Sequence, residues 1–197
     1  MLRFEIPIFE GFDELDALGP YEVLQIAKEA GADLSVRLST LTSVSQIRGS
    51  RGIAVVPDGT YELGADVVIV PGGNWINKDP RGAWGEIQRG DWLEKLRKAA
   101  ENGAVMTSVC SGAMILAAAG IIGNQRATTH HMVWDELAES GADLVKERVV
   151  DDGDLLTAGG ITSGIDLALW LVERFFSFRL AEEVAYTLEY SRYRPVV

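Results

Sequence analysis

Alternating strand and helix patterns along a chain of 197 residues predict a three-layer α/β sandwich, a mostly parallel sheet with helices on both faces. Two observations carry that expectation. Short apolar runs are separated by longer amphipathic stretches, as in βαβ units, and one run, Val67-Val68-Ile69-Val70, is apolar at every position, as a strand covered on both faces must be. Hydrophobic residues make up 47% of the chain and charged residues 24%, enough apolar material for a core in one domain spanning 1–197.

Leu2 to Phe9 reads as the first strand. Gly19-Pro20 follows, the proline suiting the first turn of a helix, and Val23, Leu24, Ala27 and Ala30 mark an apolar stripe that stops at Gly31. Leu34 to Ser39 is the second strand. Gly49, Gly52 and Pro57-Asp58-Gly59 punctuate Val44 to Glu62, which reads as a small hairpin or an edge excursion. The strand Val67 to Val70 runs into Pro71-Gly72-Gly73. Asp91 to Asn102 is an amphipathic helix with Trp92, Leu93, Leu96 and Ala100 on one side. A strand from Ala104 to Val109 and a helix from Ser111 to Ala119 come next. A helix over Met132 to Ser140 precedes a hairpin, Val149 to Thr157, turning at Asp151-Asp152-Gly153-Asp154. Two helices close the chain. The first, Thr162 to Phe176, is apolar almost all round and belongs in the core or at a subunit interface.

The formal charge of -11, from 18 Lys and Arg against 29 Asp and Glu, repels a phosphate backbone and excludes nucleic acid as a partner drawn by the overall field. An acidic, lysine-poor surface suits a high-salt cytoplasm and is equally ordinary elsewhere. A single cysteine forms no intrachain disulfide, which fits a reducing compartment. The segment Met1 to Pro7 lacks the apolar core of a signal peptide, and the longest apolar stretch, Ala113 to Ile122, falls short of the roughly 20 residues a membrane span needs. The expectation is a cytoplasmic protein with no membrane partner.

Val105 to Ala113 joins an apolar strand to a small-residue helix, with Cys110 at the junction. A reactive atom on a sharp strand-to-helix turn needs small flanking residues, and Ser108 and Gly112 supply them. The start of a helix favours thiolate over thiol. A free cysteine is more usually a buried small hydrophobe, and on pattern alone the two readings stand level.

Five segments in order resemble the ThiJ/PfpI superfamily, with its flavodoxin-like, class I glutamine amidotransferase-like fold. They are Asp16-Ala17-Leu18-Gly19-Pro20, Val67 to Gly73, Cys110-Ser111-Gly112-Ala113, Arg126 to His130 and Ala158 to Asp166. The first and third are most similar to the isonitrile hydratase branch and to sensor domains of AraC-type regulators. The resemblance implies a Cys110 nucleophile with Asp16 as its acid/base partner, on the sheet edge where open α/β folds bind ligands. A carboxyl beside a thiolate is pushed toward its protonated form, so one proton would be shared. Gly72, Gly73 and Ser111 are the candidate oxyanion or substrate-binding groups; as plainer readings, the glycines make a tight turn and Ser111 a helix cap. His130, Ile161 and Thr162 are candidate pocket residues.

His130 and His131 are the only histidines. In the protease-like branch a histidine directly follows the cysteine; Ser111 stands there, so that dyad is missing. One cysteine and two adjacent histidines give no recognisable metal-ligand spacing, and the chemistry implied requires no cofactor. Trp75 and Trp84 could roof an apolar pocket and Trp92 lies on the core stripe of its helix, core or interface packing being the more usual fate of such residues. The expected activity is hydration of an isonitrile, or another small electrophile, through a thioimidate to an N-formamide. Two alternatives remain open: a small-molecule or redox sensor, and a reactive-carbonyl or amidase-type hydrolase. The end of the sequence at Val197 leaves no room for a helix-turn-helix pair, which counts against a regulator. The family also implies a homodimer.

Overall fold

The computed structural model describes residues 1–195. Strand β1 (Leu2–Pro7) leads into helix α1 (Glu14–Glu29), and β2 (Leu34–Thr40) pairs in parallel with β1. β3 (Ile47–Arg48) and β4 (Ala54–Val55) form a separate antiparallel pair, after which β5 (Gly59–Thr60) joins the main sheet beside β2. The segment read as hairpin or edge excursion is both in succession. β6 (Val67–Val70), helices α2 (Ala83–Arg89) and α3 (Asp91–Glu101), β7 (Val105–Val109) and α4 (Gly112–Ala118) follow. β8 (Arg126–Ala127), a single 3₁₀ turn (His131–Val133), α5 (Trp134–Glu139) and β9 (Asp143–Leu144) make an excursion in which β8 and β9 pair with each other. β10 (Val149–Asp151) and β11 (Leu155–Ala158) form the expected hairpin, and α6 (Ser163–Phe175) and α7 (Phe178–Thr187) end the fold.

The main sheet has seven strands in the order β10-β11-β7-β6-β1-β2-β5, parallel throughout except at β10. Helices α1, α6 and α7 pack together, and α2, α3 and α4 form a second group against the sheet. The result is the three-layer α/β sandwich the sequence predicts. All four residues of β6 are buried, as a strand between two helical layers requires. The apolar α6 is buried within this chain along Leu167, Ala168, Leu169, Leu171 and Val172. Among the described residues no helix is long and apolar enough to cross a membrane.

One expectation fails at α1. Pro20 lies inside the helix, not in its first turn, because the helix starts at Glu14 with Asp13 as its N-cap, accepting from the Leu15 N–H at 3.2 Å. An interior proline has no N–H for the residue four before it and costs about 3 kcal/mol. Its buried ring is packed instead, close against Gly164 of α6, where a Cβ would come within 3.2 Å of Pro20 Cγ. Asp16 is therefore in the first turn of α1.

Candidate active site

β7 ends at Val109, and Cys110 takes a left-handed conformation, φ +56°, before α4 begins. A non-glycine residue held there costs of order 1–3 kcal/mol and persists only where its surroundings enforce it. Here they do. The Cys110 N–H donates to the carbonyls of Ala158 (3.1 Å) and Gly159 (2.9 Å), and its own carbonyl accepts from Thr129 Oγ1 at 2.8 Å. The turn also needs Gly112, because a Cβ there would collide with the Val70 carbonyl oxygen. Cys110 is 8% exposed.

Asp16 approaches from the first turn of α1 and is wholly buried. Its Oδ2 accepts from the Gly72 N–H at 2.9 Å, while Oδ1 has no hydrogen-bond partner. The Cys110 thiol lies near enough to the carboxyl for each to act on the other's titration, with no direct hydrogen bond between them. Burial, reinforced by the negative charge of Asp13, holds the Asp16 pKa well above the usual carboxylate range, against the pull of the Gly72 N–H and Cys110. Burial and then the Asp16 charge push the Cys110 thiol up in turn, against the N–H groups of Ser111 and Ile161. The helix start does not give the lowered thiol pKa expected of it, since α4 is short and desolvation dominates. Each group is thus held toward its protonated form, Asp16 by burial and the Asp13 charge, Cys110 by burial and the Asp16 charge.

The Pro71-Gly72-Gly73 loop has a positioning role in addition to any role toward substrate. The Gly72 N–H is engaged by Asp16, and the Gly73 N–H donates to Ser111 Oγ at 3.1 Å. Both N–H groups expected to line an oxyanion hole are thus occupied, leaving those of Ser111 and Ile161 directed at the sulfur. Ser111 occupies the N-cap position of α4 without capping it. A Cβ at Gly72 would strike Ser111 Oγ, and Gly73, at φ +130°, lies against the Gly11 carbonyl.

Cys110, Ser111 and Gly73 open into a cavity of about 230 Å³ that Asp13, Arg51, His130 and Ile161 also line. Trp75 forms part of its wall, its Nε1 donating to Glu136 at 3.1 Å. Trp84 is not part of that wall, and Trp92 is core, edge-on to Tyr61 at 5.4 Å. Thr162 is separate from the cavity and lines a larger neighbouring groove of about 520 Å³, which reaches neither Cys110 nor Asp16. The His130 Nδ1 accepts from the Met132 N–H at 3.3 Å, and burial lowers its pKa, so the neutral ring carries its proton on Nε2.

The model of the DJ-1/PfpI family matches residues 3–174. The chain belongs to that family. Similar DJ-1/PfpI relatives include the isonitrile hydratase of Pseudomonas putida, 36% identical over 98% of this chain and 81% of that protein. Another is the HTH-type transcriptional regulator CdhR of Pseudomonas aeruginosa, 28% identical over 95% of this chain. The chain spans 55% of that regulator's length and 42% of the Arabidopsis thaliana DJ-1 homolog A, to which it is 28% identical. Among solved structures, a ThiJ/PfpI family protein from Pseudomonas syringae superposes with a TM-score of 0.86 at 26% identity, covering 99% of this chain and 77% of that one. Drosophila melanogaster DJ-1beta, at 21% identity and TM-score 0.83 over 96% and 98%, shares the fold.

Sequence reasoning missed Asp13 and Arg51. Asp13 is 8% exposed and pairs at 3.9 Å with Arg51 from the β3–β4 turn. That turn is fixed by Glu14, whose carboxylate accepts from the Arg51 N–H at 2.8 Å and the Ile53 N–H at 3.2 Å. Three acids in one first turn, Asp13, Glu14 and Asp16, were the available signal.

Proposed function

We propose that this DJ-1/PfpI protein is a cysteine-dependent hydratase acting on isonitriles or similarly small electrophiles. The observation that carries the reading is the buried Asp16 carboxyl beside the Cys110 thiol, with one oxygen fixed by Gly72 and the other unpartnered. In the cavity, the Cys110 sulfur attacks the terminal carbon of R–NC as Asp16 passes its proton to that carbon and takes up the thiol proton. A C–S and a C–H bond form and the S–H bond breaks, leaving the thioimidate R–N=CH–S–Cys110 and a protonated Asp16. Asp16 then gives its proton to the nitrogen and takes one from water as the water oxygen adds to the same carbon. The C–S bond breaks, the N-formamide leaves, and the hydroxyl proton restores the thiol. The Ser111 and Ile161 N–H groups stabilise the departing sulfur. Every atom comes from substrate, water and the pair, so no cofactor is invoked.

Similarity to a protein that is itself an isonitrile hydratase supports the substrate class. The raised thiol weighs against the redox-sensor alternative, because peroxide reacts with free thiolate, whereas attack on an isonitrile is coupled to proton transfer. Incubation with a panel of isonitriles, followed for formamide, tests the proposal. Wild type should turn over, Cys110→Ala should not, and Asp16→Asn should be slower by about 10²–10⁴-fold. No turnover by wild type, or turnover that survives both substitutions, overturns it.

A further inference from the structure

The groove beside the cavity has its own chemistry. It runs between the His130–Trp134 turn, residues 146–148 and the start of α6, and it shares His130 and Ile161 with the Cys110 cavity as a common rim. Gly160 sets that rim, since a Cβ there would come within 2.8 Å of His130 Cδ2. Along the groove the half-buried Trp134 indole offers a flat apolar wall, with the His131 ring edge-on to it at 6.2 Å. Lys146 Nζ lies 4.9 Å from the centre of the Trp134 ring.

The charges in the groove are unequally engaged. Arg148 is held by Asp166 at 2.6 Å, and the Glu147 carboxylate accepts from the Tyr193 hydroxyl. Lys146 makes no ion pair among the described residues, in a protein whose formal charge is -11. An unpaired ammonium beside an indole, along a groove that shares its rim with the Cys110 cavity, matches an acid group carried on an apolar or aryl spacer.

We propose that this groove is the outer half of the substrate site and takes a carboxylate-bearing tail, which Lys146 recognises while Trp134 packs the spacer. The substrate class is then a small electrophile with an acid group on a short apolar or aryl arm. The inference rests on Cys110 being the reacting atom, as proposed above, but not on the isonitrile.

Alkylation of the sole cysteine reads the groove without isonitrile chemistry. N-iodoacetyl-para-aminobenzoate and its uncharged primary amide share ring and reactive group; each forms an S–CH₂ bond to Cys110 and expels iodide. Their second-order rates, followed by intact mass at physiological ionic strength, give an acid-to-amide ratio for wild type and for the exposed substitution Lys146→Gln. The ratio should fall about three- to fivefold in Lys146→Gln, with the amide rate unchanged. An unchanged ratio, or equal slowing of both reagents, overturns the proposal. A shifted ratio without isonitrile turnover would remove the hydratase reading and leave the subsite standing.

Discussion

At the scale of single residues, Asp16 does what few carboxylates in a stable core do: it is fully buried, beside a second acid, with one oxygen unsatisfied. Its raised folded-state pKa means the native state holds a proton the unfolded chain has lost. Stability from that proton is complete below the unfolded carboxylate value and drains away as pH rises through the folded one. Asp16→Asn keeps the shape and an acceptor for the Gly72 N–H but removes the penalty. Thermal melts should show the variant above wild type near pH 7, by about 2–4 °C for each kcal/mol relieved, and level with it below the unfolded carboxylate pKa. A lower melting temperature for the variant near pH 7 would deny the coupling. The elbow at Cys110 was legible in the sequence from the small residues flanking a lone cysteine at a strand end, but that pattern alone left nucleophile and buried small hydrophobe level. Asp16 was legible only through family resemblance, since an acid near a helix start ordinarily faces water.

Among the elements, α1 organises the site. Its first turn gives three acids three tasks: Asp13 caps the helix and pairs with Arg51, Glu14 grips the β3–β4 turn, and Asp16 meets Cys110. Gly49 makes room for the Glu14 carboxyl, against which a Cβ would collide. Removing that carboxylate in Glu14→Ala strands the Arg51 and Ile53 N–H groups, at about 1–3 kcal/mol. The melting temperature should fall by several degrees, roughly 2–4 °C per kcal/mol. Because the loosened turn carries Arg51 at the cavity wall, KM for a turned-over substrate should rise more than kcat falls; a pure loss of kcat would place the defect elsewhere. The turn was visible in the sequence from Gly49 and Gly52. Its attachment to Glu14 was not, because the grip depends on two segments crossing in space. The Pro20 misreading has the same origin, since an interior proline is tolerated here only through its packing on Gly164 of α6.

In the whole molecule, strand order makes the site. β1 and β7 flank β6, so the chain leaving β1 toward α1, the loop after β6 and the elbow after β7 emerge side by side at one sheet edge. The alternating pattern foretold that sheet well. It gave no sign of the β8–β9 excursion, whose strands of two residues carry no periodicity, yet that excursion supplies His130 to the cavity. The raised titration of Asp16 and Cys110 is thus a property of the folded chain, created when the sheet brings α1 against β7. The most direct test follows thiolate absorbance of the single cysteine against pH in folded wild type, folded Asp16→Asn and unfolded wild type. Folded wild type should titrate highest, with Asp16→Asn below it, because the variant lacks the charge that pushes the thiol up. A folded wild-type thiol that titrates with the unfolded chain, or below Asp16→Asn, would contradict the pairing of Cys110 with Asp16.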